Sequence, residues 1–138
     1  MGQKIIKGIK HLLREANQIV STISVDKCKS IQKNKDFVFV DLRDYREILK
    51  DGKIPGAFSC PRGMLEFWID PDSPYHKDFF NQDKTYIFYC ASAWRSALAA
   101  KEAIRMGLSP VVHLDGGYSE WVKKGGDIEI VNKNNKYN

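Results

Sequence analysis

The sequence predicts an α/β fold with a mainly parallel central sheet covered by helices on both faces and an amphipathic helix placed ahead of it. Two observations carry this. Short apolar runs of strand length, Phe37 to Leu42, Thr85 to Tyr89 and Val111 to Leu114, alternate with segments of helical character. The runs are mainly apolar, interrupted at Asp41, Thr85 and His113, rather than apolar at every second residue, which is the pattern of strands buried on both faces.

From Lys4 to Val20 the apolar residues Ile5, Ile9, Leu12, Leu13, Ala16 and Val20 fall on one stripe, with Lys7, Lys10, Arg14 and Gln18 between them. That is a helix packed on the domain, although a basic stripe of this kind also suits an anionic membrane surface. Ser24 and Asp26 start a short helix reaching about Lys33, and Asn34-Lys35-Asp36 breaks it. After the first strand, Asp44 followed by Glu47 reads as a capping box for a helix over Tyr45 to Lys50, which Gly52 stops. Ile54-Pro55-Gly56-Ala57 is a turn, Phe58 to Cys60 a short strand, and Gly63 to Trp68 a short helix leading into the loop 70–74. Arg95 to Met106 is the strongest helix former in the chain and ends at Gly107. Asp115-Gly116-Gly117 turns the chain into a last helix, Tyr118 to Lys124, stopped by Gly125-Gly126. This divides the chain into an N-terminal helix (1–23), one domain (24–131) and a frayed polar tail (132–138).

With 138 residues the chain can bury a core without staples, and 43% hydrophobic with 28% charged residues is ordinary for a soluble domain. No apolar run approaches the roughly 20 residues that cross a bilayer. No signal-peptide pattern opens the chain, and Ile6 stands where a myristoylation pattern wants Ser or Thr. Three widely spread cysteines suit neither a disulfide framework nor a zinc site, so a reducing, cytoplasmic location is expected. The net charge of +5 reads as a lysine-rich surface that also draws small anions, and no nucleic-acid motif accompanies it.

In parallel α/β sheets ligands sit beyond the carboxyl ends of the strands. Two such ends carry chemistry. Cys90 follows the Thr85 to Tyr89 strand, and the small residues Ala91, Ser92 and Ala93 precede Trp94 and Arg95 at the head of the strong helix. A tight strand-to-helix loop turns its N–H groups inward, the helix adds the positive end of its dipole, and an anion at the centre is favoured. The cysteine's own thiolate, its nucleophilic form, can be that anion. Arg95 adds a planar cationic fork for an oxyanion. Taken alone, Cys90 reads better as a packed strand end, because free cysteine is among the most buried residue types. The composition of the loop after it reverses that balance.

At the other strand end, Asp41 either orients the loop or caps the next helix, and Arg43 and Glu47, four apart, can pair on the helix surface; structural support suits all three. Arg62 either meets an anionic substrate or is simply solvated. Cys60 is expected to pack, with a role as a second thiol as the alternative, and Cys28 looks incidental. His11, His76 and His113 fall in a helix, a loop and a strand, so no metal cluster and no cysteine–histidine dyad is expected.

Four segments in order, Asp41-Leu42-Arg43, Gly52-Lys53-Ile54-Pro55-Gly56-Ala57, Cys90 to Arg95 with Ser96, and Asp115-Gly116-Gly117-Tyr118 with Trp121, resemble the motifs of rhodanese-like domains over about Ser24 to Gly126. Two positions depart from that pattern, Lys53 where a His is common before the turn and Ala93 where a Gly is common in the loop. The resemblance implies a rhodanese-like fold and a sulfurtransferase whose Cys90 becomes a persulfide. It implies a small anionic sulfur donor such as thiosulfate, and cyanide or a thiol as acceptor, with no cofactor and no metal. Ala91, Ser92, Ala93, Trp94 and Arg95 would hold the substrate, with Trp94 either packing over the loop mouth or stacking on the turn. A sulfur carrier or docking module served by a partner relay protein is the alternative. Cysteine phosphatases place five residues between Cys and Arg, whereas four stand here.

Overall fold

The computed structural model describes residues 2–132, so most of the expected tail lies outside the described residues. Its helices are α1 (Ile9–Ile19), α2 (Val25–Ser30), α3 (Tyr45–Asp51), α4 (Leu65–Ile69), α5 (Trp94–Met106) and α6 (Gly117–Lys123). Its strands are β1 (Ser21–Ile23), β2 (Phe37–Asp41), β3 (Phe58–Ser59), β4 (Thr85–Tyr89) and β5 (Val111–Leu114). The sheet runs in the order β1-β5-β4-β2-β3 and every pairing in it is parallel.

Alternation along the strands sends side chains to two cores. Val40, Tyr86 and Phe88 pack with Leu65 and Ile69 of α4 and with Ala99, Ala100 and Ala103 of α5. Phe39, Ile87 and Tyr89 face the opposite way, onto Val25 and Cys28 of α2 and Tyr118 and Trp121 of α6. The predicted covering of both faces is therefore present. α1 lies outside α5, joined to it through Leu13 and Ala16 against Ala97 and Leu98. Its register matches the predicted stripe, but it begins at Ile9 rather than Lys4. Gly8 has an extended backbone and offers no capping side chain, and Ile5 and Ile6 stay exposed.

β1 is absent from the sequence-based reading. Three residues, two of them polar and exposed, form a strand only because they pair with β5. The capping box at Asp44 is formed, with its carboxylate accepting from the Arg46 N–H while the Glu47 side chain accepts from the Asp44 N–H. The carboxyl ends of β2, β3, β4 and β5 thus converge on one edge, and the loops leaving them form the site.

Candidate active site

Cys90 ends β4 and is only 1% exposed. Its Sγ accepts a hydrogen bond from the Ser96 N–H at 3.4 Å. Ser96 lies in the first turn of α5, so the positive end of a 13-residue helix is aimed at the sulfur. The sequence reading placed the cradle's donors on Ala91 to Arg95; the observed bond comes from the next residue. Outward-facing carbonyls explain how the loop is held. The Cys90 oxygen accepts from Tyr118 N–H at 2.8 Å and the Ala91 oxygen from Ser119 N–H at 3.0 Å. Gly117 comes so close that a Cβ there would meet those two oxygens at 2.7–2.8 Å, and its φ is +66°. Only glycine fits both demands.

Ala93, the predicted departure, takes φ +75° and ψ 4°, a left-handed conformation. An L-residue there carries roughly 1–2 kcal/mol of strain. Ala93→Gly is expected to raise stability by about 1 kcal/mol, or the melting temperature by roughly 3 °C. Thermal denaturation measures it; a variant less stable than the parent would contradict the strain.

Arg95 makes a two-pronged contact with Glu47, Nη1 to Oε1 at 2.7 Å and Nη2 to Oε2 at 3.0 Å. Arg95 hydrogen bonding, aided by the Asp44 N–H, holds the Glu47 carboxyl below its usual range, against the opposing effect of burial. Glu47 also raises the Arg95 pKa, and smaller effects of the same sign come from Cys90. The expected surface pairing of Glu47 with Arg43 does not form. Arg43 is 1% exposed and grips Asp41, which is fully buried, with Nη2 to Oδ2 at 2.8 Å and Nε to Oδ1 at 3.0 Å. Nη2 also donates to the Gly52 carbonyl at 2.7 Å, and the guanidinium lies 4.1 Å from the Tyr118 ring centre. Burial alone would lower the Arg43 pKa, but Asp41 outweighs it and the net shift is upward. Glu47 therefore orients Arg95, while Asp41 and Arg43 brace the floor under the β2 exit.

Arg62 pairs with Glu66 at 2.9 Å, four residues on along the chain. Cys60 is fully buried in the first core and burial pushes its thiol up to about 12; Cys28 is likewise buried in the second, also at about 12. Cys60 packs as expected, and Cys28 is a core residue as well. Lys53 is buried too, donating to the Ala57 carbonyl at 2.8 Å and pairing its backbone with Glu129. Its charge serves the turn. Trp94 is 52% exposed. No group of three or more potential metal ligands occurs among the described residues. No described helix is long and apolar enough to cross a membrane.

Sequence reasoning missed His113. It is 2% exposed, and its Nδ1 lies 3.0 Å from Oγ of Ser96, the residue whose N–H reaches Cys90. The contact crosses from β5 to α5, and no local spacing signals it. Burial lowers the His113 pKa below the ordinary 6.5, with Asp115 acting weakly the other way. As pH falls through 6.5 the unfolded histidine gains a proton that the folded one refuses, so stability falls with pH. The slope is at most about 1.4 kcal/mol per pH unit. It levels off below the folded pKa. Denaturant titrations between about pH 7 and 5 should show that slope, and His113→Asn should flatten it; an unchanged slope in the variant would assign it to another group.

The family model described as "Rhodanese-like domain" matches residues 24–124. The mouse "Thiosulfate sulfurtransferase/rhodanese-like domain-containing protein 3" is 30% identical over 123 residues, covering 83% of this chain and 78% of its own. A Rhodopseudomonas palustris protein of unknown function, described as a possible tyrosine phosphatase, superposes with a TM-score of 0.91 at 55% identity, over 94% of this chain and 99% of its own. A human single domain sulfurtransferase shares the fold at a TM-score of 0.67 and 23% identity, over 78% of this chain and 99% of its own.

Proposed function

The chain belongs to the rhodanese-like domain family, and on that premise we propose that it is a sulfurtransferase working through a Cys90 persulfide. The observation that carries the reading is the helix-borne Ser96 N–H on Cys90 Sγ, beside an arginine held in place by Glu47. A thiolate is the form that such a donor stabilises, and a thiolate is what attacks sulfur.

In the first half-reaction Cys90 Sγ attacks the outer sulfur of thiosulfate. A new S–S bond forms, the donor's own S–S bond breaks, and its electron pair leaves with sulfite. In the second, cyanide or a thiolate bonds to the outer sulfur, and the electron pair of the broken bond returns to Cys90. Arg95 steers the anionic donor, although Glu47 offsets part of its charge. Arg62, tied to Glu66, has a weaker claim to the same task. Four residues, Ala91 to Trp94, separate Cys90 from Arg95, a smaller cradle than the five-residue spacing of cysteine phosphatases, and donors must meet the oxyanion they serve.

Mass spectrometry tests the reading. Thiosulfate should add one sulfur, digestion should place it on the Cys90 peptide, and cyanide should remove it. Sulfur found on Cys28 or Cys60, or none retained at all, would overturn the assignment. A persulfide that only a second protein can discharge would identify a carrier instead.

A further inference from the structure

The apolar stripe that docks α1 on the domain runs on past its cover. Leu13 and Ala16 are buried against Ala97 and Leu98 of α5, but Ile9 at the head of the helix is half-exposed, and Ile5 and Ile6 ahead of it are 72% and 98% exposed. By spacing, Ile5, Ile9, Leu12, Leu13 and Ala16 share one helical face, yet the helix begins only at Ile9. A first turn gains little from its own hydrogen bonds and forms where packing covers its apolar face. Residues 4–8 are all exposed, so that cover is missing. A Cβ at Gly8 would meet nothing within 4 Å, which leaves the segment room to turn. All of it precedes residue 24, where the family match begins.

The same stretch is dense in positive charge. Between residues 4 and 20 stand Lys4, Lys7, Lys10 and Arg14 against one carboxylate, Glu15. Lys7 pairs with Glu15 at 3.2 Å, while Lys4, Lys10 and Arg14 have no ion-pair partner among the described residues. A second copy of this chain suits the exposed isoleucines poorly, because a symmetric contact would set these cations against their own kind. An anionic bilayer meets both demands. It takes up apolar side chains without needing a complementary shape, and its phosphates attract the cations beside them.

We propose that residues 4–10 are a docking surface for an anionic lipid bilayer, on which the protein lies without spanning it. On the bilayer the segment ahead of Ile9 joins the helix. Ile5, Ile6 and Ile9 enter the boundary between headgroups and acyl chains, and Lys4, Lys7 and Lys10 extend their stems so that the ammonium groups reach the phosphates. Apolar burial and charge attraction act together, each giving weak and reversible binding alone. Lying on the surface agrees with the described helices, none of which is long and apolar enough to cross a membrane. Nothing in this depends on the chemistry at Cys90.

Co-sedimentation of the full chain with lipid vesicles is the test. Vesicles holding about one third phosphatidylserine should bind at least about tenfold more tightly than phosphatidylcholine alone, and raising the salt from about 0.1 M to about 0.5 M should weaken that binding by a similar factor. Ile5→Gln combined with Ile6→Gln should lower the affinity at least about tenfold, through the loss of two apolar side chains. Lys4→Gln combined with Lys10→Gln should lower it about twentyfold, on the scale of roughly fivefold for each lysine near an anionic surface. Lys33→Gln combined with Lys35→Gln removes the same net charge just after α2, which covers the other face of the sheet from α5, and should change the affinity by less than about twofold. Hydrogen exchange at residues 5–9 of the parent should slow on the phosphatidylserine vesicles. No binding, equal binding to both kinds of vesicle, an isoleucine variant that binds like the parent, or equal losses in the two lysine pairs overturns the docking surface. A dimer in sedimentation velocity that the isoleucine variant dissociates would give this face to a second copy and overturn it as well.

Discussion

Cys90→Ser is expected to lose sulfur transfer from thiosulfate to cyanide by at least about a thousandfold, the scale on which removing an attacking nucleophile acts. The loss should appear in the first half-reaction as well as in turnover, because no sulfur can be stored. The parent should give parallel lines in double-reciprocal plots, the mark of a double displacement. Folding should be nearly intact. The serine hydroxyl can accept from the Ser96 N–H in place of the sulfur, so denaturation should move by no more than about 1 kcal/mol. Retention of a tenth of the parent rate would mean that the sulfur passes without residing on Cys90.

The largest effect on stability is expected at Arg43. Arg43→Met keeps much of the side chain's bulk but leaves Asp41, fully buried, as a charge without its counter-ion. Breaking a buried pair from one side costs about 3–5 kcal/mol. That is a large part of the roughly 5–15 kcal/mol that holds a domain of this kind together. The double variant Asp41→Asn with Arg43→Met should recover a substantial fraction, since the stranded charge is gone. Urea denaturation of the three variants measures both quantities. A single-variant loss under about 1 kcal/mol would show that water reaches Asp41 and that the pair is not buried in solution.

How far the sequence reaches can be argued from these same residues. β4 and α5 were legible because an apolar aromatic run and an alanine-rich helix former announce themselves locally, and the box from Asp44 to Glu47 has a fixed spacing. Cys90 and the small residues after it were legible for the same reason. What escaped joins distant parts of the chain. Arg95 meets Glu47 across 48 residues, His113 meets Ser96 across 17, and Lys53 meets Glu129 between segments with no pattern in common. Arg43 was misjudged although its partner stands two residues away. Spacing favoured the surface pair with Glu47, whereas burial of the β2 exit turned the guanidinium inward to Asp41.

Gly117 has a consequence for how activity is gained and lost. Its backbone is wedged against the carbonyls of Cys90 and Ala91, so the loop that follows Cys90 cannot take its shape until a turn 27 residues later has docked. Folding of the site and folding of the domain are then one cooperative event. Activity should disappear along the same denaturant curve as tryptophan fluorescence and circular dichroism, with no inactive folded species between. For this chain a catalytic assay would double as a probe of the folded fraction.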